Sequence, residues 1–156
     1  MARSRPHLPR HAAALLSALF LIAISAYPTS ASSQNDPKSS AACPAAVDMS
    51  HLHLQGHWRA ELQATAATLQ LGPHPELAHS VRGTVQRGGT TAQVSGDVDD
   101  GDLTLEESIN GTNISATWTG QVVDGSCGKE IRGSWTQSTS PDTPQPFVLR
   151  KQASWQ

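Results

Sequence analysis

Aromatic residues make up only 4% of this 156-residue chain, charged residues only 15%, and there are just two cysteines. So few cysteines exclude a disulfide-dense miniprotein, and no C-x-x-C pair of the redox or zinc-ribbon kind occurs. No apolar run reaches the ~20 residues that a membrane span needs. The 12 glycines and 10 prolines follow no three-residue period, which excludes a collagen-like chain. The length suits one domain with a single core rather than a multidomain enzyme. Catalytic signatures are missing too: there is no G-x-S-x-G elbow, no H-E-x-x-H and no phosphate-cradling glycine loop. Glu106 and Glu107 are adjacent and, on a strand, point to opposite faces, so they cannot act together on one bond. Ser126, in Gly125-Ser126-Cys127-Gly128, reads as part of a tight connection rather than as a nucleophile. The expectation is a non-catalytic protein without a cofactor, an unrecognised hydrolase being the third-ranked reading.

What is present begins with a targeting signal. Arg3, Arg5 and Arg10 precede the apolar run Ala12 to Ile24, and small residues follow up to Ala31. A positive start, a short apolar core and a small-residue cleavage site describe a secretory signal peptide over 1–31. Its removal takes three arginines from the 11 Lys+Arg and nothing from the 13 Asp+Glu, so the mature chain carries a formal charge of −5. That sign gives no electrostatic reason to bind nucleic acid or anionic lipid. A secreted or periplasmic location is expected, with no membrane span after signal removal. In an oxidising compartment Cys43 and Cys127 are expected to form one disulfide. Residues 32–50 are polar and small, and read as a flexible leader pinned near its end by Cys43.

From His51 to Lys151 the pattern is period-two alternation broken by turn residues. Leu52, Leu54, Gly56, Trp58, Ala60 and Leu62 alternate with polar residues, and seven further alternating segments follow, one of them starting at Ile114. Arg87-Gly88-Gly89, Asp99-Asp100-Gly101-Asp102, Asn110-Gly111 and Asp124-Gly125 supply hairpin turns. Asp97, Asp99, Asp100 and Asp102 fail the calcium-loop template, because Gly96 and Val98 fall at its first and third ligand positions. Asn110-Gly111-Thr112 and Asn113-Ile114-Ser115 match the glycosylation sequon but are read here as turn and strand residues. Five segments place a glycine at an inward position: Gly56, Gly83, Gly96, Gly120 and Gly133. Glycine there permits sharp coiling and close approach of backbones, as closing a small barrel requires. The expected fold is all-β: an eight-stranded antiparallel up-and-down barrel over 51–151 with a tail at 152–156, and a two-sheet sandwich as the alternative.

Gly56-His57-Trp58 at the head of such a meander resembles the calycins, the lipocalin and avidin type of small barrel. The resemblance covers roughly His51 to Lys151. It implies that Trp58 closes one barrel end beneath a cation from the last strand, Arg150 or Lys151. The loop motifs of the larger lipocalins are absent, so a ligand-binding role follows from it without any particular contact residue.

Three candidate sites emerge. Trp58, Trp118, Trp135 and Phe147 share the inward parity and form either plain core or the lining for a small apolar ligand. His51, His53 and His57 share a parity on the presumed first strand and present a weak metal-chelate candidate. Arg59, Arg82, Arg132 and Arg150 alternate with the core positions and face outward, where an acidic partner could meet them. The expected function is that of an exported binding or interaction module of the cell envelope or exterior, its partner an unknown protein or a small apolar ligand. The alternatives are a metal-binding protein and a carrier of small apolar ligands.

Overall fold

The computed structural model describes residues 43–153; the expected signal peptide and residues 32–42 of the expected leader lie outside the described residues. Eight strands follow one another: β1 (Gly56–Leu62), β2 (Ala66–Pro73), β3 (Val81–Arg87), β4 (Thr90–Asp99), β5 (Asp102–Ser108), β6 (Ala116–Val122), β7 (Glu130–Gln137) and β8 (Gln145–Lys151). Each pairs antiparallel with its neighbour in sequence, and β1 pairs with β8 to close the barrel. The sandwich alternative is thereby excluded. The turn β3–β4 has Gly88 and Gly89 at φ +54° and +82°, and the turn β4–β5 has Asp100 and Gly101 at +52° and +88°. Positive φ at both central residues is what a two-residue hairpin loop of the right twist demands.

Closure depends on backbone approach at the inward glycines. A Cβ at Gly133 would stand 1.9 Å from the Thr119 carbonyl oxygen, and one at Gly83 would stand 1.8 Å from that of Gln70. Any side chain there would push adjacent strands apart. Gly120 and Gly133 face each other in the β6–β7 register, next to the pair Trp118 and Trp135. Thus the bend and the bulk alternate along the same strands, with the two indoles on one side of the kink and Val122 and Ile131 on the other.

The interior is apolar with one exception. Trp58, Trp118, Trp135 and Phe147 are all buried, as are Leu69, Leu105 and Leu149 around them. Trp118 meets Phe147 edge-on at 5.1 Å between ring centroids and Trp135 at 6.3 Å. The exception is Glu107, buried at 1% exposure on β5.

Two sequence expectations need correction at the amino-terminal end. Residues His51–Leu54 form a single helical turn, α1, and β1 starts only at Gly56. Leu52 therefore points outward at 64% exposure instead of lining the interior. Alternation of Leu52 and Leu54 also fits one helical turn, in which only one of two residues two apart faces the barrel. The expected leader is structured where it is described: Ala46–Asp48 form a 3-10 turn, Met49 is buried, and Cys43 is bonded to Cys127. At the other end of the fold, Ile114 lies before β6 and is 48% exposed. The backbone N–H of Ser115 donates to the Glu107 carbonyl at 2.7 Å, which starts the pairing one residue after Ile114.

Replacing Trp58 with Ala should lower unfolding free energy by about 3 to 5 kcal/mol, the usual range for emptying a core aromatic site. Urea denaturation of the mature chain measures this; a loss below about 1 kcal/mol would mean that the barrel end collapses around the gap.

Candidate functional site

At the end where β1 starts, α1 covers the barrel. The Trp58 indole N–H donates to the Leu54 carbonyl at 2.7 Å, which ties the helix turn to the core. Lys151, from the last strand, donates to the His53 carbonyl and holds its ammonium 5.4 Å from the centre of the Trp58 ring. Burial, with Lys129 nearby, pushes the Lys151 pKa below the ordinary lysine value. Of the two cations the calycin resemblance proposed, Lys151 occupies the place over the tryptophan. Arg150 points away, between Glu61 and Glu130.

At the opposite end a polar cluster completes the core. Arg87 donates through Nη1 and Nη2 to Glu107 Oε2 and Oε1 at 3.1 and 2.9 Å. The indole N–H groups of Trp118 and Trp135 both donate to Oε2 at 3.1 Å. The guanidinium also lies 4.1 Å from the centre of the Trp135 ring. A buried carboxylate is tolerated only when its lone pairs are occupied and its charge is matched, and four donors with one cation meet both requirements. This cluster escaped the sequence reading, although parity carried a signal. Arg87 continues the inward series of Val81 and Val85, and Glu107 continues that of Leu103 and Leu105. Parity turns both charges inward, and the register of β3, β4 and β5 brings them together.

The three sequence-level candidates fare differently. Trp58, Trp118, Trp135 and Phe147 stand together inside the barrel, with all three indole N–H groups bonded to protein acceptors. The clefts on the outside of β3–β5, at the β5–β6–β7 face and near Ala46 are lined by other residues. The histidines do not share a strand face, because His51 and His53 belong to α1 and only His57 to β1. His53 Nδ1 accepts from the Ser50 backbone N–H at 3.1 Å, which caps the turn, and the His51 ring meets that of His79 at 5.7 Å. Among the described residues no group of three His, Cys, Asp or Glu side chains is arranged to hold a metal ion. The arginines do lie outside, but two are engaged: Glu130 bridges Arg132 and Arg150, and Arg150 continues to Glu61. Both arginines hold the Glu130 carboxyl below the ordinary carboxylate range, with the Arg132 hydrogen bond the largest cause.

A polar cleft of about 290 Å³ lies on the outside of β3, β4 and β5. Its floor includes Arg82, Gln93, Ser95 and Glu106; its rims are His74 and Glu76 on one side and residues 111–114 on the other. The second rim is held by its own hydrogen bonds. Asn110 Oδ1 accepts from the N–H groups of Thr112 and Asn113 at 3.0 and 2.9 Å, and Ser108 Oγ donates to the Asn113 carbonyl at 2.7 Å. Only Arg82 among the sequence-level candidates belongs to this cleft. Period-two parity marks its floor as outward but does not show which loops fold over it.

No protein-family model matches the chain, and no curated protein sequence does. The class is defined by the fold: a small closed up-and-down barrel, consistent with a calycin-like form. The bonded pair Cys43–Cys127 fits an extracellular or periplasmic location. No helix among the described residues is long and apolar enough to cross a membrane.

Two outcomes are expected. Glu107→Leu should destabilise the fold by about 3 to 5 kcal/mol, because Arg87 and two indoles lose their acceptor, while Glu107→Gln should cost less. Denaturant titration of both variants tests the order, and equal small losses would show the cluster to be dispensable. Because the Glu130 pKa is depressed by folding, its contribution is complete above the ordinary carboxylate value and is lost as pH falls through the lowered one. Thermal melts on the acid side should therefore show a shallower decline for Glu130→Gln than for the parent chain.

Proposed function

We propose that this protein is an exported, non-catalytic binding module that meets its ligand or partner on the outside of the barrel, across β3–β5. The observation that carries this reading is the contrast between the two surfaces of the sheet. Inside, Trp118 packs on Trp135 and Phe147, and the N–H groups of all three buried indoles are bonded. Outside, the cleft gathers a guanidinium, a carboxylate and a hydroxyl in a pocket close in size to small-ligand sites. Export is supported by the amino-terminal signal pattern and by the disulfide. The non-catalytic reading is supported by the fates of the adjacent glutamates: Glu107 is committed to Arg87, and Glu106 stands on the other face. The metal reading loses its motivating geometry with α1, and the apolar carrier finds its aromatics already in mutual contact.

The test follows thermal stability and tryptophan fluorescence of the mature protein against long-chain fatty acids, Zn²⁺ and Cu²⁺, and short peptides and glycans. A bound ligand at 100 times its dissociation constant stabilises by about 2.7 kcal/mol. A polar ligand should raise the melting point, and Ser95→Tyr, which fills the cleft floor, should abolish the rise. A fatty acid that raises it and alters the fluorescence of Trp118 would overturn the exterior reading.

A further inference from the structure

The registers Arg82 with Ser95 and Ser95 with Glu106 place three outward side chains in one row across β3, β4 and β5. Adjacent strands lie 4.7–4.9 Å apart, so the row runs roughly 10 Å from first to last. Its ends carry opposite charges. Arg82 Nη2 donates to Gln93 Oε1 at 2.9 Å, and its other donors have no acceptor among the described residues. Glu106 has no ion pair or side-chain hydrogen bond among the described residues, and neither has Ser95 Oγ between them. Arg82 and Glu106 thus line one cleft without neutralising each other. On the rim, His74 Nδ1 accepts from the N–H groups of Glu76 and Leu77 at 3.1 and 3.0 Å. That fixes the ring proton on Nε2, a donor beside the floor. Ile114, half exposed, provides an apolar patch on the facing rim.

We propose that this cleft binds a short zwitterionic peptide of about three residues, its carboxylate on Arg82 and its ammonium on Glu106; the inference rests on the exterior-site reading above. The distance between the two strands that carry the charges sets the length. An extended residue covers about 3.3–3.6 Å, so three span about 10 Å. A free amino acid, whose ammonium and carboxylate flank a single carbon, satisfies one end only. A simple anion or cation leaves the other end uncompensated. The terminal carboxylate matches the fork of a guanidinium, and peptide N–H and C=O groups match Ser95, Gln93 and the His74 N–H. A cleft of about 290 Å³ takes a small peptide, not a folded domain. Because the charged groups are open to solvent, binding weakens as salt rises.

The experiment is titration of the isotope-labelled mature protein at low ionic strength with Ala-Ala-Ala, its N-acetyl and C-amide forms, and free alanine, followed by amide chemical shifts. The zwitterionic tripeptide should bind saturably, with shifts confined to residues 74–77, 82, 93–95, 106 and 108–114. Each blocked form, and alanine, should bind roughly tenfold more weakly, the loss of one charge-assisted contact. Arg82→Gln should erase discrimination against the amide and keep discrimination against the acetyl form; Glu106→Gln should do the reverse. Both side chains point outward, and unchanged melting curves for the two variants confirm that they fold. Absence of saturable binding, equal affinity for blocked and free peptide, or shifts elsewhere on the barrel would each overturn the inference. If the tripeptide fails while Ser95→Tyr still abolishes the response to another polar ligand, the exterior site stands and only the peptide assignment falls. If a fatty acid enters the interior, the exterior reading falls with it.

Discussion

A sheet of eight strands becomes a barrel only when its first strand can hydrogen-bond to its last, and here that rests on contacts between backbones. At Gly83 and Gly133 the carbonyl oxygen of the neighbouring strand lies where a Cβ would be. Strands bent this tightly bring Leu62 opposite Phe147 and Trp58 opposite Lys151, so no strand edge is left exposed. The disulfide adds a constraint of a different kind: it fastens the segment before α1 to the β6–β7 connection, 84 residues away in sequence. Closing a loop of that length limits the unfolded chain and is worth roughly 4 to 5 kcal/mol in the chain-entropy account.

Once the barrel is closed, its two ends and its interior must be filled. One end uses α1, with Leu54 beneath it and Lys151 joining it to the last strand. The other end uses Arg87, laid over Trp135 and bonded to Glu107. The tryptophans link the two arrangements, since each gives its N–H to one of the caps while its ring fills the middle. Among the described residues every buried side-chain polar atom has a partner, which is the condition for keeping a charge there. With the interior aromatics so committed, the binding role proposed here falls to the outer face. There the strands carry Thr, Ser, Gln and isolated charges, and two loops fold back over the sheet.

Much of this was legible in the sequence. The eight strands, their antiparallel order, the inward aromatics and the disulfide follow from alternation, turn residues and cysteine number, because each is a local or countable signal. The alternation extends the presumed first strand five residues too far, over 51–55. His51 and His53 keep the same parity as His57, and one helical turn is too short for period two and period 3.6 to differ. The shared strand face of His51, His53 and His57 vanishes with that correction. The alternation sets Glu106 and Glu107 on opposite faces, and the expectation drawn from it names neither as the inward one.

The sequence by itself determined the alternation and the turns, and these select an antiparallel barrel, since side chains two apart must share a face and positive-φ turns must join neighbours. Tertiary structure alone decided which residues meet across it. Arg87 and Glu107 are 20 positions apart, and Trp135 lies 28 beyond Glu107, yet one carboxylate joins them. The cleft likewise exists only because loops from opposite ends of the barrel overhang β3–β5. Parity assigns a side chain to a face; its neighbours on that face depend on register and curvature, which are set by the closure of all eight strands together.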